Sequence, residues 1–191
     1  LIYNPTTDSF DEQFIEGVSN HTISKKLFEL LKSKKIIAHN FSFDGKFVKS
    51  YYGIDLIPFL WADTILLVHT VFEEGAFGYG SPFGLKSIAI MNQEELGLDA
   101  EKEANQEQIE LKKSIKKNGG STSKVNYELF KADIDVLGKY GAADTDLTLR
   151  VYYLYLDRLK KEGLEDFFFK EEVMPVYKEL TIPMEEYGVD L

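Results

Sequence analysis

The chain has 191 residues, of which 44% are hydrophobic and 14% aromatic, enough apolar material for one domain of ordinary size with a short extension. Its net charge of −10 argues against a protein that coats nucleic acid generally, but does not exclude an enzyme that uses clustered carboxylates. The absence of cysteine excludes a disulfide scaffold and a thiolate metal site, and no apolar run approaches the roughly 20 residues that a membrane span needs.

Short strands and helices alternate through the first half of the predicted structure. Leu1–Tyr3 is predicted to end a strand that runs into a turn, and residues 35–39 form a second, buried strand. Apolar residues at helical spacing predict helices over 22–32, over 43–51 with Gly53 at the end, and over about 64–72.

The second half is predicted to be mainly helical. A Gly-rich loop at 75–84 precedes a helix at 85–91, and an acidic stretch at 94–110 turns basic at Lys112, which predicts a helix leading to a mobile loop. A long helix is predicted from about Ala142 to Lys161, followed by a last helix from about Leu164 that contains two prolines and ends at Gly188.

One chemically suggestive feature is the segment Ala38–Asp44. A buried strand ends here, and Asn40 and Asp44 follow at the start of the next helix. This pattern predicts an exposed carboxylate at the carboxyl edge of a sheet, where α/β folds bind ligands. The alternative is purely structural: Asn40 is a turn residue and Asp44 a first-turn acid that the helix dipole favours.

A second feature is the pair Tyr140 and Asp144, which are four residues apart and therefore lie on one face of a helix. A phenol and a carboxylate in this arrangement can address the same point. The alternative is a core tyrosine beside a solvated aspartate. Asp146 falls on a different face, where we expect it to be exposed to solvent.

The order of these two features resembles the second and third motifs of the DEDD-type 3′→5′ exonucleases. Asn40, Phe43 and Asp44 match the second motif, and Tyr140 and Asp144 match the third. The histidine branch of that superfamily would need His where this chain has Lys139, so the chain resembles the tyrosine branch. Asp63-Thr64 and the segment 85–89 also resemble parts of the family.

The end of the chain resembles the junction in family A DNA polymerases where the exonuclease domain leads into the thumb. Met174-Pro175 and the segment 184–190 carry this likeness. The resemblance, which covers roughly residues 23–190, implies a partial exonuclease domain at 1–162 and the start of a polymerase domain at 163–191. It implies an α/β, RNase H-like fold, in which helices flank a mixed central sheet that lacks its first strand or strands.

The resemblance also implies a function and a set of site residues. The protein would be a proofreading exonuclease that hydrolyses DNA from single-stranded or frayed 3′ ends in the cytoplasm of a bacterial or phage-infected cell. Asp44 and Asp144 would hold two divalent ions, Mg²⁺ or Mn²⁺, and Tyr140 would orient the attacking water. Asn40 would position Asp44 or contact the terminal nucleotide. Further candidates for phosphate contact, which a solvated helix face explains equally well, are Lys86, Lys112, Lys113, Lys116 and Lys117.

The chain departs from the family at the first motif, Asp-x-Glu, which supplies two of the four acidic ligands. No Asp-x-Glu occurs in residues 1–38, and the acids there fall in a predicted loop at Asp8, Asp11, Glu12 and Glu16. We expect the motif to lie upstream of Leu1, and we expect little metal-dependent nuclease activity from these 191 residues alone. A catalytically silent strand-binding or scaffold module, and an exonuclease that trims RNA 3′ ends, remain open alternatives.

Overall fold

The computed structural model of the chain describes residues 2–4, 9–11, 20–72, 83–97 and 100–188. The predicted Gly-rich loop at 75–84 lies outside the described residues except for its last two positions. The described part is mostly helical with short strands, and one of its two small sheets is parallel, consistent with the α/β class. None of the described helices is both long and apolar enough to cross a membrane.

The strands and helices follow in chain order. The strands are β1 (Ile2–Asn4), β2 (Ser9–Asp11), β3 (Ile36–Ala38) and β4 (Leu60–Asp63). The helices are α1 (Asn20–Lys32), α2 (Phe41–Tyr52), α3 (Thr64–Val71), α4 (Leu85–Met91), α5 (Gln93–Leu96), α6 (Ala100–Lys117), α7 (Ile134–Lys161), α8 (Val173–Val176) and α9 (Ile182–Tyr187). The strand predicted at the start of the chain, the strand at 35–39 and the helices through α4 are confirmed.

The chain divides into two compact units. The first comprises Leu1–Leu27 and Gly97–Asp146, and the second comprises Phe28–Leu96 and Leu147–Leu191. Residues 163–187 therefore belong to the same unit as α2, β3 and β4. In the first unit β1 and β2 pair antiparallel, with Ile2 opposite Asp11, so the prediction that Asp11 lies in a loop is wrong.

The core of the first unit lies between α6 and the start of α7. Leu111, Ile115 and Ala132 are buried together, and Tyr140 packs against them with two further apolar residues of α7. This packing explains why α7 begins at Ile134, although the sequence predicted a start near Ala142. The burial stabilises a turn whose two glycines, Gly138 and Gly141, each disfavour a helix by about 1 kcal/mol relative to alanine.

A hydrogen-bonded turn ends α6. The Gly120 amide donates to the carbonyl of Ile115 at 2.8 Å, and Gly119 adopts a left-handed conformation with φ 70°, the arrangement of a Schellman motif. Beyond it, Thr122 and Tyr127 form an antiparallel bridge. The basic end of this segment is therefore a helix that leads into a hydrogen-bonded turn and a loop, as predicted, and the mobility of that loop stays a prediction.

The residues after α7 do not form the single helix predicted from Leu164. Two π-helical turns, Phe167–Glu171 and Tyr177–Thr181, precede α8 and α9 respectively. Proline lacks an N–H and its ring clashes with the carbonyl four residues earlier. For Pro175 and Pro183 those carbonyls belong to Glu171 and Glu179, which lie within the π turns, so the wider turns accommodate both prolines.

Candidate functional site

In the second unit, two parallel strands end side by side. β3 and β4 pair so that Ala38 lies opposite Asp63, the last residue of each strand. The chain leaves β3 through His39 and Asn40 into α2, and it leaves β4 directly into α3. Polar groups from both connections therefore gather at the carboxyl edge of this sheet, as the sequence predicted for Asn40 and Asp44.

The centre of this edge is Asp63, to which sequence analysis assigned no role. Its side chain is buried, with 1% exposed. Oδ1 accepts hydrogen bonds from the amides of Asn40 at 3.1 Å and Ile65 at 2.9 Å. Oδ2 accepts from the amide of Phe41 at 2.7 Å and from the hydroxyl of Tyr177 at 3.2 Å. Four donors fill the acceptor sites of the carboxylate, which leaves no lone pair for a further ligand.

Part of the structural role of Asp63 could have been predicted from the sequence. An aspartate directly after a buried strand and before a helix is a favoured N-cap, and Asp63 does cap α3 through Ile65. The bonds to the start of α2 and to Tyr177 join residues 22 and 114 positions apart. No local pattern could predict those.

Asp44 lies in the first turn of α2 with its side chain exposed, as predicted. Partial desolvation, followed by the negative charge of Asp63, raises the pKa of Asp44 above its usual value. The fold therefore disfavours the ionised form of this carboxylate. A cation bound beside Asp44 would remove that cost, because it would compensate both the lost solvation and the repulsion.

Asn40 adopts a left-handed backbone conformation with φ 65° and ψ 53°. Asparagine tolerates this conformation better than most residues. The side chain of Asn40 is exposed and does not cap α2; among the described residues, side chains from elsewhere hold the amides of that turn. His39 has a structural role, because its Nδ1 lies 2.8 Å from the Thr64 hydroxyl, which itself donates to the carbonyl of Ala38.

A cavity of about 440 Å³ adjoins Asn40 on the surface of α2. Its lining combines polar and aromatic side chains: Asn40, Ser42, Phe43, Lys46, Phe47 and Ser50. Phe43 and Phe47 are among the most exposed aromatic residues described. Lys46 is paired with Glu185 at 2.5 Å, so the charge of this lysine is largely balanced.

Tyr140 and Asp144 belong to the first unit. They lie on one face of α7, as predicted, and the phenol hydrogen-bonds to the carboxylate. Burial, with the charge of Asp144 as the next cause, raises the pKa of Tyr140 to about 12. Tyr140 is therefore a neutral donor at physiological pH and a very poor base. The Oδ1 atom of Asp144 is shielded from solvent, whereas Asp146 is exposed, as expected.

The candidate lysines of α6 are exposed on the side of the helix opposite its core. Leu111, Ser114 and Ile115 are buried, while the four lysines at 112, 113, 116 and 117 face solvent. Lys117 lies 3.6 Å from the Asp133 carboxylate. Lys86 lies in the first turn of α4 and is half-buried.

The site residues fall into two groups that belong to different units. Asn40, Asp44 and Asp63 come together in the second unit, and Tyr140 and Asp144 come together in the first. Within the described residues, no three His, Asp or Glu side chains are grouped as a metal site. The oxygen donors suit a hard cation in kind, but neither group supplies a complete ligand set among the described residues, and in the second unit Asp63 is already saturated.

No protein-family profile, curated protein or solved structure matches this chain.

Proposed function

We propose that the chain is a module of a metal-dependent 3′→5′ exonuclease with an RNase H-like fold, of the kind that proofreads DNA in family A polymerases. The observation that carries the proposal is the Asn40–Asp44 turn, which presents an exposed carboxylate of raised pKa at the ends of two parallel strands. The hydrogen-bonded pair Tyr140 and Asp144, the other motif of the resemblance, supports it. DNA 3′ ends are the proposed substrate.

Each residue has a proposed role in this reaction. Asp44 and Asp144 supply oxygen ligands, and Asn40 contacts the terminal nucleotide. Tyr140 orients a water as a hydrogen-bond partner, because a phenol of pKa about 12 cannot remove a proton efficiently near pH 7. Two ions of Mg²⁺ or Mn²⁺, when bound, would activate the water and stabilise the charge that develops. The remaining ligands would have to come from an Asp-x-Glu motif outside residues 1–38.

The test measures removal of nucleotides from the 3′ end of 5′-labelled single-stranded DNA by the full product of the gene that encodes this chain. Asp44→Asn and Asp144→Asn are each expected to lower the rate at least about 100-fold, because each removes a charge that stabilises the transition state. The matched control, Asp146→Asn on the exposed side of α7, should retain activity within about twofold. Wild-type rates in both site variants would contradict the proposal.

A second candidate is a catalytically silent module that binds strands or supports a polymerase. The lack of a three-carboxylate group within the described residues favours it. In the same assay, such a module would bind the labelled strand without shortening it in Mg²⁺ or Mn²⁺. A labelled RNA of the same sequence tests the third alternative, since an RNA exonuclease would shorten the RNA faster than the DNA.

A further inference from the structure

The buried hydroxyl of Tyr177 has no part in the proposed reaction, yet it makes two directed hydrogen bonds in the second unit. It donates to Oδ2 of Asp63 at 3.2 Å and accepts from the amide of Ser42 at 3.1 Å. The carboxylate can only accept and the amide can only donate, so both directions are fixed. Tyr177 is 9% exposed and Asp63 1%. The phenol thus bridges a buried carboxylate and the start of α2.

The same pair of side chains holds three consecutive amides. Asp63 accepts from Asn40 and Phe41, and Tyr177 accepts from Ser42. The first amides of any helix have no partner within the helix. In α2 these amides are held by distant side chains, because the cap residue Asn40 makes no side-chain capping bond. Asp44 follows two residues after Ser42 in the same turn, so this network fixes where its carboxylate lies.

Tyr177 belongs to residues 173–187, which we name the C-terminal segment. Further contacts fasten this segment to α2 and β4: Lys46 with Glu185 at 2.5 Å, Lys49 with Glu186 at 2.5 Å, and Lys178 Nζ with the carbonyl of Leu60 at 3.2 Å. The two ion pairs are partly exposed and contribute little. The buried hydroxyl of Tyr177 is the contact by which the segment acts on the first turn of α2.

We propose that Tyr177 is a positioning residue that couples the C-terminal segment to Asp44 through Asp63 and Ser42. The inference rests on the proposed function only for the role of Asp44 in the reaction. Tyr177 is the first residue of a π-helical turn, and π turns occur often at functional sites. Displacement of the C-terminal segment therefore releases the Ser42 amide and shifts the Asp44 carboxylate.

The test compares Tyr177→Phe with Tyr187→Phe, which removes the same hydroxyl from a residue of the same segment that is 89% exposed. Amide hydrogen exchange and the ¹³C resonance of the Asp44 carboxyl are followed by NMR without nucleic acid or metal. In Tyr177→Phe, exchange at Ser42 is expected to be at least about tenfold faster, and the Asp44 resonance should move. Tyr187→Phe should match wild type. Wild-type values at Ser42 and Asp44 in Tyr177→Phe would overturn the proposal.

The amide of Val151, a buried residue of α7 in the same unit, distinguishes a local change at Ser42 from unfolding of the whole unit. If the change is local, the exchange rate of Val151 should remain as in wild type. Should Tyr177→Phe not fold, 3-fluorotyrosine at position 177 retains the hydroxyl and makes it a stronger donor and a weaker acceptor. Its expected effect is a shift of the Ser42 and Asp44 amide resonances. No shift at either residue would also overturn the proposal.

Exonuclease assays then separate the two proposals. If the full gene product is active, Tyr177→Phe is expected to lower kcat about tenfold or more with KM for DNA unchanged, because it moves Asp44 without touching the substrate. An unchanged kcat would overturn the positioning role alone. If the wild-type protein has no nuclease activity, the proposed function fails, while the NMR comparison still decides whether Tyr177 positions Asp44.

Discussion

At the scale of single residues, Asp44 combines an exposed carboxylate with a fold that opposes its charge. Because its pKa is raised, the folded state favours the neutral form, and ionisation above pH 4 lowers the free energy of unfolding. Asp44→Asn is therefore expected to stabilise the protein slightly at pH 7, by no more than about 0.3 kcal/mol because solvent screens the exposed carboxylate, and to have no effect near pH 3. Urea denaturation at both pH values measures this.

The control for this prediction is Asp146→Asn, an exposed aspartate of the first unit. It should not stabilise the protein at either pH value. A destabilising Asp44→Asn at pH 7 would show that the carboxylate makes favourable contacts when ionised. That result would favour the alternative interpretation of the sequence, in which Asp44 is a structural acid in the first turn of the helix.

Tyr140 and Tyr177, whose buried phenols have a pKa raised to about 12, make the protein sensitive to alkali. Each has a folded pKa of about 12 against an unfolded value of about 10. Their contribution is fully present below pH 10 and is lost as the pH rises towards 12. Between pH 9 and pH 11.5, Tyr140→Phe should lose less unfolding free energy than wild type, as measured by urea denaturation at each pH. An identical loss would contradict this prediction.

Among single residues, the sequence identified those whose geometry is local. Asn40, Asp44 and Asp144 lie within a turn or a helix that the spacing of apolar residues predicts, and the spacing of Tyr140 and Asp144 predicted that they share a helical face. The contact of Tyr177 could not be predicted, because its hydroxyl binds a partner 114 residues away in the chain.

At the scale of elements, the turn after α6 depends on the absence of a side chain at Gly120. A Cβ there would lie 2.6 Å from Cγ2 of Ile115 and 3.0 Å from the Ile115 carbonyl oxygen. Since Ile115 is fully buried and the carbonyl belongs to the backbone, neither atom can move freely. Gly120→Ala is expected to destabilise the protein by about 1–3 kcal/mol, measured by chemical denaturation.

Gly138→Ala is the matched control. Gly138 lies inside α7, and a Cβ added there would meet nothing within 4 Å. The substitution should therefore stabilise the protein by about 0.5–1 kcal/mol through helix propensity. If Gly120→Ala stabilised the protein as much as Gly138→Ala, that result would contradict the close packing of Gly120 against Ile115.

The elements that the sequence predicted least well are those in which packing overrides local preference. The sequence predicted a start for α7 near Ala142, but burial of its first turns against α6 outweighs the cost of the glycines at 138 and 141. The prolines at 175 and 183 did not simply end or kink a helix, because π turns absorb them. The parallel pairing of β3 with β4 agrees with the predicted class of fold, and the RNase H-like topology stays a prediction.

At the scale of the whole molecule, a net charge of −10 would oppose the binding of a nucleic-acid strand, so the proposed function needs local positive charge. If the four lysines of α6 are the phosphate contacts, single-stranded DNA affinity should fall with salt with a log–log slope no steeper than about −2.8, which is 0.7 for each lysine. Changing all four to glutamine should flatten the slope. Fluorescence anisotropy of a labelled strand measures both.

The control for this experiment is a variant that loses the same number of positive charges outside α6. A second variant would replace four exposed or half-buried lysines away from α6 by glutamine: Lys32, Lys34, Lys160 and Lys170. This variant should keep the salt slope of wild type. If both variants flattened the slope equally, binding would depend on overall charge, and the lysines of α6 would be an ordinary solvated helix face.

The saturation of Asp63 affects how mutational scans of this protein should be interpreted. Replacing an aspartate with asparagine is the usual way to silence a suspected nuclease carboxylate, since size and shape are retained. At position 63 the amide would keep one acceptor oxygen and place an NH₂ group against atoms that themselves donate. An inactive Asp63→Asn protein would therefore report the loss of a buried hydrogen-bond network, whereas the same change at Asp44 tests the proposed role of its carboxylate.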